Sequence, residues 1–328
     1  MITAQKKKSY ITIFLFVIAV FALLTFLSSS GVIRRYWQSI LVLVCINIIM
    51  AVSLNITVGN LGQITLGHAG FMSIGAYTAG LLMKGGAIAG LPGYIISLIA
   101  AGLLAAAFGV AIGLPVLRLK GDYLAIVTLA FGEIIRVVAE NLEITGGAQG
   151  LAGIPRMNDI PIIFLVTAFC IVVMYSTMTS RHGRAVLAIK DNEIAAQSSG
   201  VKITRYKTFA FTFSAFFAGV AGAIYAQNIG VISADVFNYN KSFDILVMVV
   251  LGGMGSFTGA ILSSTVLTIL PELLRGFADW RMIIYSIILI LVMIFRPEGL
   301  MGRSEFNLEK VFSRKRGGKN ASRDSKKE

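Results

Sequence analysis

Residues 180–207 form a charged stretch in an otherwise strongly apolar chain, and they read SRHGRAVLAIKDNEIAAQSSGVKITRYK. A simple connection between two helices needs only a handful of residues. Within this stretch, Asp191 or Asn192 can cap the start of a short helix over DNEIAAQSSG, and Gly200 can end it. The pattern therefore predicts a helix, lying across a loop, that fits a groove on a soluble partner. A basic loop that only fixes membrane orientation is the alternative.

A second charged group lies inside an apolar run, GDYLAIVTLAFGEIIRVVAENL. Glu133, Arg136 and Glu140 are spaced i, i+3 and i+7, which places them on one face of a helix. A charge at the centre of a bilayer costs about 2.5–3.5 kcal/mol on insertion scales, so such groups pair or face a wet cavity. The spacing predicts either a polar stripe beside a translocation path or a structural ion pair near the outer end of the helix.

A glycine-rich apolar stretch, residues 55–82, carries polar side chains near its start, among them Asn55, Gln63 and His68. Small residues let backbones approach closely, and glycine tolerates a broken or re-entrant path. Irregular backbone at membrane depth occurs only where protein covers it or where it lines water. The stretch therefore predicts either a gate in a translocation path or a well-packed span with an interfacial histidine.

The motifs of hydrolytic, nucleotide-binding and metal sites are missing from the sequence. It contains no H-E-x-x-H, no G-x-S-x-G and no G-x-x-x-x-G-K-[ST] phosphate loop. GGMGSFTG lies in apolar sequence and is better explained by close helix packing or a broken helix. His68 and His182 are too far apart to suggest a metal motif, and Cys45 and Cys170 fall inside apolar spans. We therefore predict no catalytic residues, no metal and no cofactor.

The composition identifies the environment of the chain. Of its 328 residues, 56% are hydrophobic and 14% are charged, and the mean hydropathy is +0.80. Soluble domains carry about 25% charged residues, so the chain is predicted to be an integral membrane protein. The net charge of +13 comes from basic clusters that fix cytoplasmic orientation. We predict contact with membrane lipid and none with nucleic acid.

A membrane-spanning helix needs about 20 apolar residues. The interval 242–273 is long for one helix and is interrupted by GGMGS, so we predict two shorter segments there, 242–252 and 256–273. The other predicted spans are 10–28, 38–58, 63–83, 93–115, 122–140, 160–178, 206–228 and 281–296. The fold class is thus all-α, a polytopic membrane protein with about 8–10 transmembrane segments and glycine-broken helices.

Charge predicts the orientation of these segments. KKK at 6–8 precedes the first apolar run, which is too long for a signal peptide and is interpreted as a span. Counting onward places the 180–205 loop and both termini in the cytoplasm, although Arg34, Arg35, Arg275 and Arg281 then lie outside. We predict a transmembrane domain over 1–300 and a basic, disordered cytoplasmic tail over 301–328. The outer loop 145–155 is either a connector or a docking site.

Three stretches resemble a known family. ITLGHAGFMSIGAY, GRAVLAIKDNEIAAQSSGVKITRYKTFAFTFSAFFAGVAGAIYA and FRPEGLMG are similar to the LivM-type permeases of branched-chain amino acid ABC transporters. Permeases of ABC importers carry a coupling motif, E-A-A-x-x-x-G, in the loop that meets the ATPase. By that resemblance Ala195, Ala196 and Gly200 match the motif, whereas Ile194 stands at its Glu position and Glu193 lies one residue earlier.

The resemblance implies an ABC importer permease fold in a bacterial plasma membrane. It also implies a second, LivH-type permease, two cytoplasmic ATP-binding subunits and an extracytoplasmic substrate-binding protein as partners. ATP hydrolysis then belongs to those partners and not to this chain. The residues we assign to the ATPase-coupling loop are Arg184, Asp191, Glu193, Ala195, Ala196 and Gly200, and the candidate path residues are Asn55, Gln63, His68, Glu133 and Arg136.

The implied cargo is leucine, isoleucine or valine. Urea and short amides are alternatives, because similar permeases carry them. An ion-coupled secondary amino acid transporter, with an ion site that Glu133, Asp122 or Asp244 contributes to, is an alternative of another class. A membrane scaffold without transport activity is a third.

Overall fold

The computed structural model describes residues 35–86, 90–119, 121–157, 159–276, 280–296 and 299–300. The predicted span 10–28 and the predicted tail 301–328 lie outside the described residues.

Helices account for most of the described chain. They are α1 (Arg35–Asn55), a π-helical turn (Ile56–Asn60), α2 (His68–Lys84), α3 (Gly90–Val116), α4 (Asp122–Asn141), α5 (Ile160–Thr179), α6 (Arg181–Asp191), α7 (Glu193–Ser198), α8 (Ile203–Ile229), α9 (Tyr239–Gly252), α10 (Phe257–Leu273) and α11 (Arg281–Phe295). Short 3-10 turns occupy Glu143–Thr145, Gly147–Gln149, Ala234–Phe237 and Leu274–Gly276. A two-stranded antiparallel sheet joins β1 (Leu151–Ala152) to β2 (Val231–Ile232).

Four of the described helical segments are long and apolar enough to cross a membrane: Tyr36–Asn60, Gly90–Val116, Ile160–Thr179 and Ile203–Ile229. Each has 20 to 27 residues, and at 1.5 Å per residue such a helix spans the hydrocarbon core of about 30 Å. The shorter apolar helix α10 has 17 residues. The chain is therefore a multi-pass, predominantly α-helical membrane protein, as the sequence predicts.

Glycine contacts bring α2, α3 and α8 together at the centre of the bundle. A Cβ atom at Gly75 of α2 would overlap the backbone of Gly219 on α8, and one at Gly222 of α8 would overlap the Met72 carbonyl on α2. On the other side of α8, the Gly219 position lies against Ala101 and Ala105 of α3. Small residues permit this close packing, which holds helices together in lipid where the hydrophobic effect does not.

The bundle has two distinct ends. At the sheet end, β1 pairs with β2, and Gly80 of α2 packs against Leu151 and Ile232. At the loop end, the turn that follows α1 contacts α6 and the connection between α9 and α10.

The structure corrects the boundaries of two predicted spans. The predicted span 38–58 ends as α-helix at Asn55 and continues as the π-helical turn to Asn60. The predicted span 63–83 begins as helix only at His68, because residues 61–67 are not helical. This interruption confirms a glycine-broken path, and Gly62, at φ +75°, lies within it. The predicted break at GGMGS is also present, between α9 and α10.

The predicted outer loop 145–155 is tied to the bundle. Leu151 and Ile154 are buried, and the Ile154 amide donates to the Gly230 carbonyl at 3.2 Å. This segment thereby fixes the end of α8.

Candidate functional site

The charged loop folds as two consecutive helices, α6 and α7. Ser180 caps α6, since its hydroxyl accepts from the His182 amide at 3.2 Å. Asn192 caps α7, since its Oδ1 accepts from the Ala195 amide at 3.0 Å. Gly200 follows α7 with φ +85°, a left-handed conformation that glycine adopts without steric cost. The predicted start and end of the loop helix are confirmed.

Glu193 attaches α7 to α8. Both of its carboxylate oxygens accept from Lys207 Nζ at 3.0 Å. Lys207 is 6% exposed, so this charge is held in a largely covered position, where losing its partner is costly. Ala196 is also buried, at 5% exposure. One side of α7 therefore faces the bundle.

The other side of α7 is open. Ile194 is 78% exposed, and Leu187 on α6 is 38% exposed. Asp191, at the end of α6, and Ala195 are exposed as well. Arg184 donates to the Thr179 carbonyl at 3.1 Å, which closes the end of α5. The two helices thus present apolar side chains on a surface that lies outside the membrane-spanning helices.

Asn55 joins the two helix breaks. Its amide nitrogen donates to the Ser256 carbonyl at 3.1 Å, and its Oδ1 accepts from the Gly255 amide at 2.8 Å. Gly59 lies against the same place, because a Cβ there would overlap both Asn55 Oδ1 and the Gly255 amide nitrogen. We call residues 55–67 with residues 252–256 the broken-helix junction.

His68 is buried within the chain and connects three helices. Its Nε2 lies 2.8 Å from the Ser53 hydroxyl, and it is 3% exposed. The Ser53 carbonyl in turn accepts from the Ser214 hydroxyl of α8. These bonds link α1, α2 and α8.

Side chains of other helices accept hydrogen bonds from backbone amides in and beside the non-helical residues 61–67. The Leu66 amide donates to Thr128 Oγ1 of α4 at 3.0 Å, and the neighbouring Ala69 amide donates to Ser242 Oγ of α9 at 3.1 Å. The Gln63 amide donates to the Thr57 carbonyl at 3.0 Å. Gln63 Oε1, in contrast, is buried without a hydrogen-bond partner among the described residues. Covered irregular backbone of this kind is tolerated at membrane depth.

The predicted charge stripe on α4 forms an ion cluster. Arg136 Nε lies 2.7 Å from Glu133 Oε2, and Arg136 Nη1 lies 3.0 Å from Glu140 Oε2. Asp235, from the 3-10 turn that follows β2, approaches Arg136 at 3.7 Å. Glu133 Oε1 has no partner among the described residues. We call these four residues the arginine cluster; the ion pairing of Glu133 and Arg136 that their spacing permits is present.

Apart from His68 at the start of α2, the predicted site residues fall into three groups: the α6–α7 helices with the following Gly200, the broken-helix junction and the arginine cluster. Sequence reasoning missed Lys190, whose Nζ donates to the Gly59 carbonyl at 2.5 Å, and it missed Lys207. A lysine inside a basic loop gives no signal in sequence of a partner 131 residues away. For Lys207, the position i+14 from Glu193 lies beyond any helical spacing rule.

Comparison with known proteins identifies the family of this chain. Residues 36–295 match the family described as "Branched-chain amino acid transport system / permease component". The chain is 39% identical over 266 residues to the LivM permease protein of the high-affinity branched-chain amino acid transport system of Escherichia coli (strain K12). That match covers 70% of this chain and 62% of the relative, so the chain spans less than two thirds of its length.

Two more distant relatives match as well. The LivH permease protein of the same Escherichia coli system is 31% identical over 46% of this chain and 49% of its own. The probable LivM permease of Methanocaldococcus jannaschii is 23% identical over 67% of this chain and 71% of its own. No solved structure matches the chain.

Proposed function

The chain belongs to the family of branched-chain amino acid transport permease components, and we propose that it is the LivM-type permease of an ABC importer. The observation that supports this proposal best is the α6–α7 unit. It is an ordered pair of helices, attached to α8 by the Glu193–Lys207 ion pair, that exposes Ile194. A short helix that presents an apolar side chain in this way can fit a groove on a soluble partner. Its partner in this proposal is a cytoplasmic ATP-binding subunit.

The remaining partners follow from the same proposal. A LivH-type permease forms the translocation path together with this chain, two ATP-binding subunits supply the free energy, and an extracytoplasmic binding protein delivers the cargo. The assembly resides in a bacterial plasma membrane with both termini of this chain in the cytoplasm. ATP binding and hydrolysis drive alternating access, because nucleotide shifts a conformational equilibrium by its differential affinity for the two states.

We propose a branched-chain amino acid as the cargo. Its ammonium group needs hydrogen-bond acceptors, and an unpaired buried acceptor is costly to the protein. Two of the five candidate path residues, Gln63 and Glu133, carry a buried oxygen without a partner among the described residues. Asn55 and His68 are engaged within the chain, and Arg136 is paired with Glu133. Gln63 and Glu133 are therefore our preferred cargo contacts.

Reconstitution tests the class of transporter. In proteoliposomes, the chain assembled with LivH-type and ATP-binding subunits should accumulate labelled leucine only when ATP and binding protein are present. The chain alone should accumulate none under a proton or sodium gradient. Uptake by the chain alone that collapses with an ionophore would instead identify an ion-coupled transporter. If urea or short amides compete for uptake and leucine, isoleucine and valine do not, the cargo is urea or an amide and not a branched-chain amino acid.

A substitution at Ile194 tests the docking surface. Ile194→Ser removes an exposed apolar side chain without disturbing the caps of α7, so the permease should fold normally but retain much less ATP-binding subunit on co-purification. Ile144→Ser is the matched control, since Ile144 is 72% exposed in the 3-10 turn at the sheet end. Equal retention by both variants would contradict docking at α7.

A further inference from the structure

Lys190 is a basic residue of α6 that is not among the assigned loop residues. This residue lies in the last turn of α6, outside the membrane-spanning helices. Its ammonium group donates to the Gly59 carbonyl at 2.5 Å, and its aliphatic stem passes Gly62, where a Cβ atom would lie 3.0 Å from Lys190 Cγ. Among the described contacts, this one joins α6 directly to the interrupted helix.

The Gly59 carbonyl is a suitable acceptor because of its place in the chain. It belongs to the π-helical turn that ends α1, where carbonyl groups lose the regular helical acceptor pattern. The end of a helix also carries partial negative charge, which a cation stabilises. Neighbouring carbonyls in the turn accept from the backbone, Ile56 from the Leu61 amide and Thr57 from the Gln63 amide. Lys190 thus supplies a charged donor to the same turn.

The turn that Lys190 holds is itself attached to the second helix break. Gly59 lies against Gly255, and the side-chain amide of Asn55 forms hydrogen bonds with the backbone of Gly255 and Ser256. The last described residues reach the same break, because the Leu300 amide donates to the Leu251 carbonyl at 2.7 Å. A displacement of α6 therefore acts, through a contact that includes this hydrogen bond, on a unit that contains both breaks.

We propose that Lys190 is a positioning residue that couples the α6–α7 unit to the broken-helix junction. The contact holds the turn 56–60 in the present conformation, and movement of α6 by the ATP-binding subunits transmits force through it. This inference rests on the proposed function. A hydrogen bond that involves a charged donor is among the stronger ones in proteins, and a lysine stem can shift without breaking the fold around it.

The test compares Lys190→Met with Lys84→Met in the full transporter, reconstituted with LivH-type and ATP-binding subunits and supplied with ATP and binding protein. Methionine keeps an unbranched stem and removes the ammonium group. Lys84 lies in the last turn of α2 and is exposed. Lys84→Met therefore makes the same lysine-to-methionine change at a site outside α6. Lys190→Met should assemble and hydrolyse ATP, while leucine transported per ATP falls by about tenfold or more, the scale expected for loss of a charged hydrogen bond. Lys84→Met should match the parent.

A second readout follows the junction itself. Met254→Cys lies within the second break, where Met254 is 48% exposed. In a background without Cys45 and Cys170, it reports the rate of labelling by a water-soluble maleimide. Nucleotide should change this rate in the parent and leave it unchanged in Lys190→Met. A purely structural lysine would lower assembly without altering the ratio of transport to hydrolysis or the nucleotide response.

Lys190→Cys covers the case in which Lys190→Met fails to assemble. Aminoethylation of that cysteine restores an ammonium group at nearly the original length, so the same sample is measured before and after rescue. Recovery of transport per ATP supports coupling through Lys190. An unchanged ratio in Lys190→Met, or no recovery after aminoethylation, overturns the inference. Absence of ATP-driven uptake in the parent would instead overturn the proposed function.

Discussion

The broken-helix junction and the arginine cluster both place polar groups in apolar sequence, but they use different partners. Asn55 bonds to residues 200 and 201 positions away, whereas Arg136 bonds mainly to residues 3 and 4 positions away on its own helix. The junction therefore fastens separate elements to one another, and the cluster mostly neutralises charge within α4. A change in the junction should affect the whole loop end, while a change in the cluster should stay local.

The largest expected effect is at Gly59. Gly59→Ala places a methyl group on the Gly255 backbone and the Asn55 amide, neither of which can move without opening the junction. We expect the free energy of unfolding to fall by about 3 kcal/mol, the upper range for overpacking. Gly85→Ala is the control, since its Cβ would meet only the Leu81 and Leu82 carbonyls at 3.4 and 3.6 Å. Thermal unfolding in detergent measures both, and equal stability would refute a rigid junction.

Asn55→Leu should rank second. It removes two hydrogen bonds and leaves the Gly255 amide without the acceptor that Asn55 supplies, which costs about 2 kcal/mol in a largely buried place. The Ser256 carbonyl still accepts from the Ala260 amide. Asn141→Leu is the matched control, because Asn141 is exposed and bonds only within its own helix to the Val137 carbonyl. Chemical denaturation in detergent should show a loss for the first variant and a change below about 0.5 kcal/mol for the second.

Arg136→Met should have a smaller effect, about 1 kcal/mol, because the ion pairs of the cluster are partly exposed and screened by water. The loss should shrink when Glu133→Gln is added, since the double variant no longer leaves that carboxylate unpaired. A double-mutant cycle in thermal unfolding measures this coupling. Additive losses would show that the cluster does not act through charge pairing.

Asp235→Asn should have the smallest effect. Its carboxylate is 83% exposed and lies 3.7 Å from Arg136, so the change in stability should stay below about 0.5 kcal/mol. The same thermal assay measures it. A loss as large as that of Arg136→Met would mean that the cluster links α4 to the chain after β2, and the contrast with the junction would disappear.

Many of the helices of this protein, and one of its ion pairs, can be predicted from local sequence. Runs of about 20 apolar residues located the described spanning helices, since a helix satisfies its own backbone hydrogen bonds and needs only length and hydrophobicity to cross lipid. Side-chain chemistry within four residues narrowed the start of α7 to Asp191 or Asn192 and placed its end before Gly200; the structure selects Asn192. The same short range predicted the pairing of Arg136 with Glu133.

Only the tertiary structure decided which contacts the residues at the helix breaks make. The contacts of Asn55 with Gly255, His68 with Ser53 and Lys190 with Gly59 depend on where whole helices cross. Those crossings are set by glycine contacts such as Gly75 with Gly219, and a glycine in sequence does not name the backbone it will touch. Spacing rules cover residues three or four apart on one helix, whereas a hydrogen bond across 131 or 200 residues is determined by packing geometry.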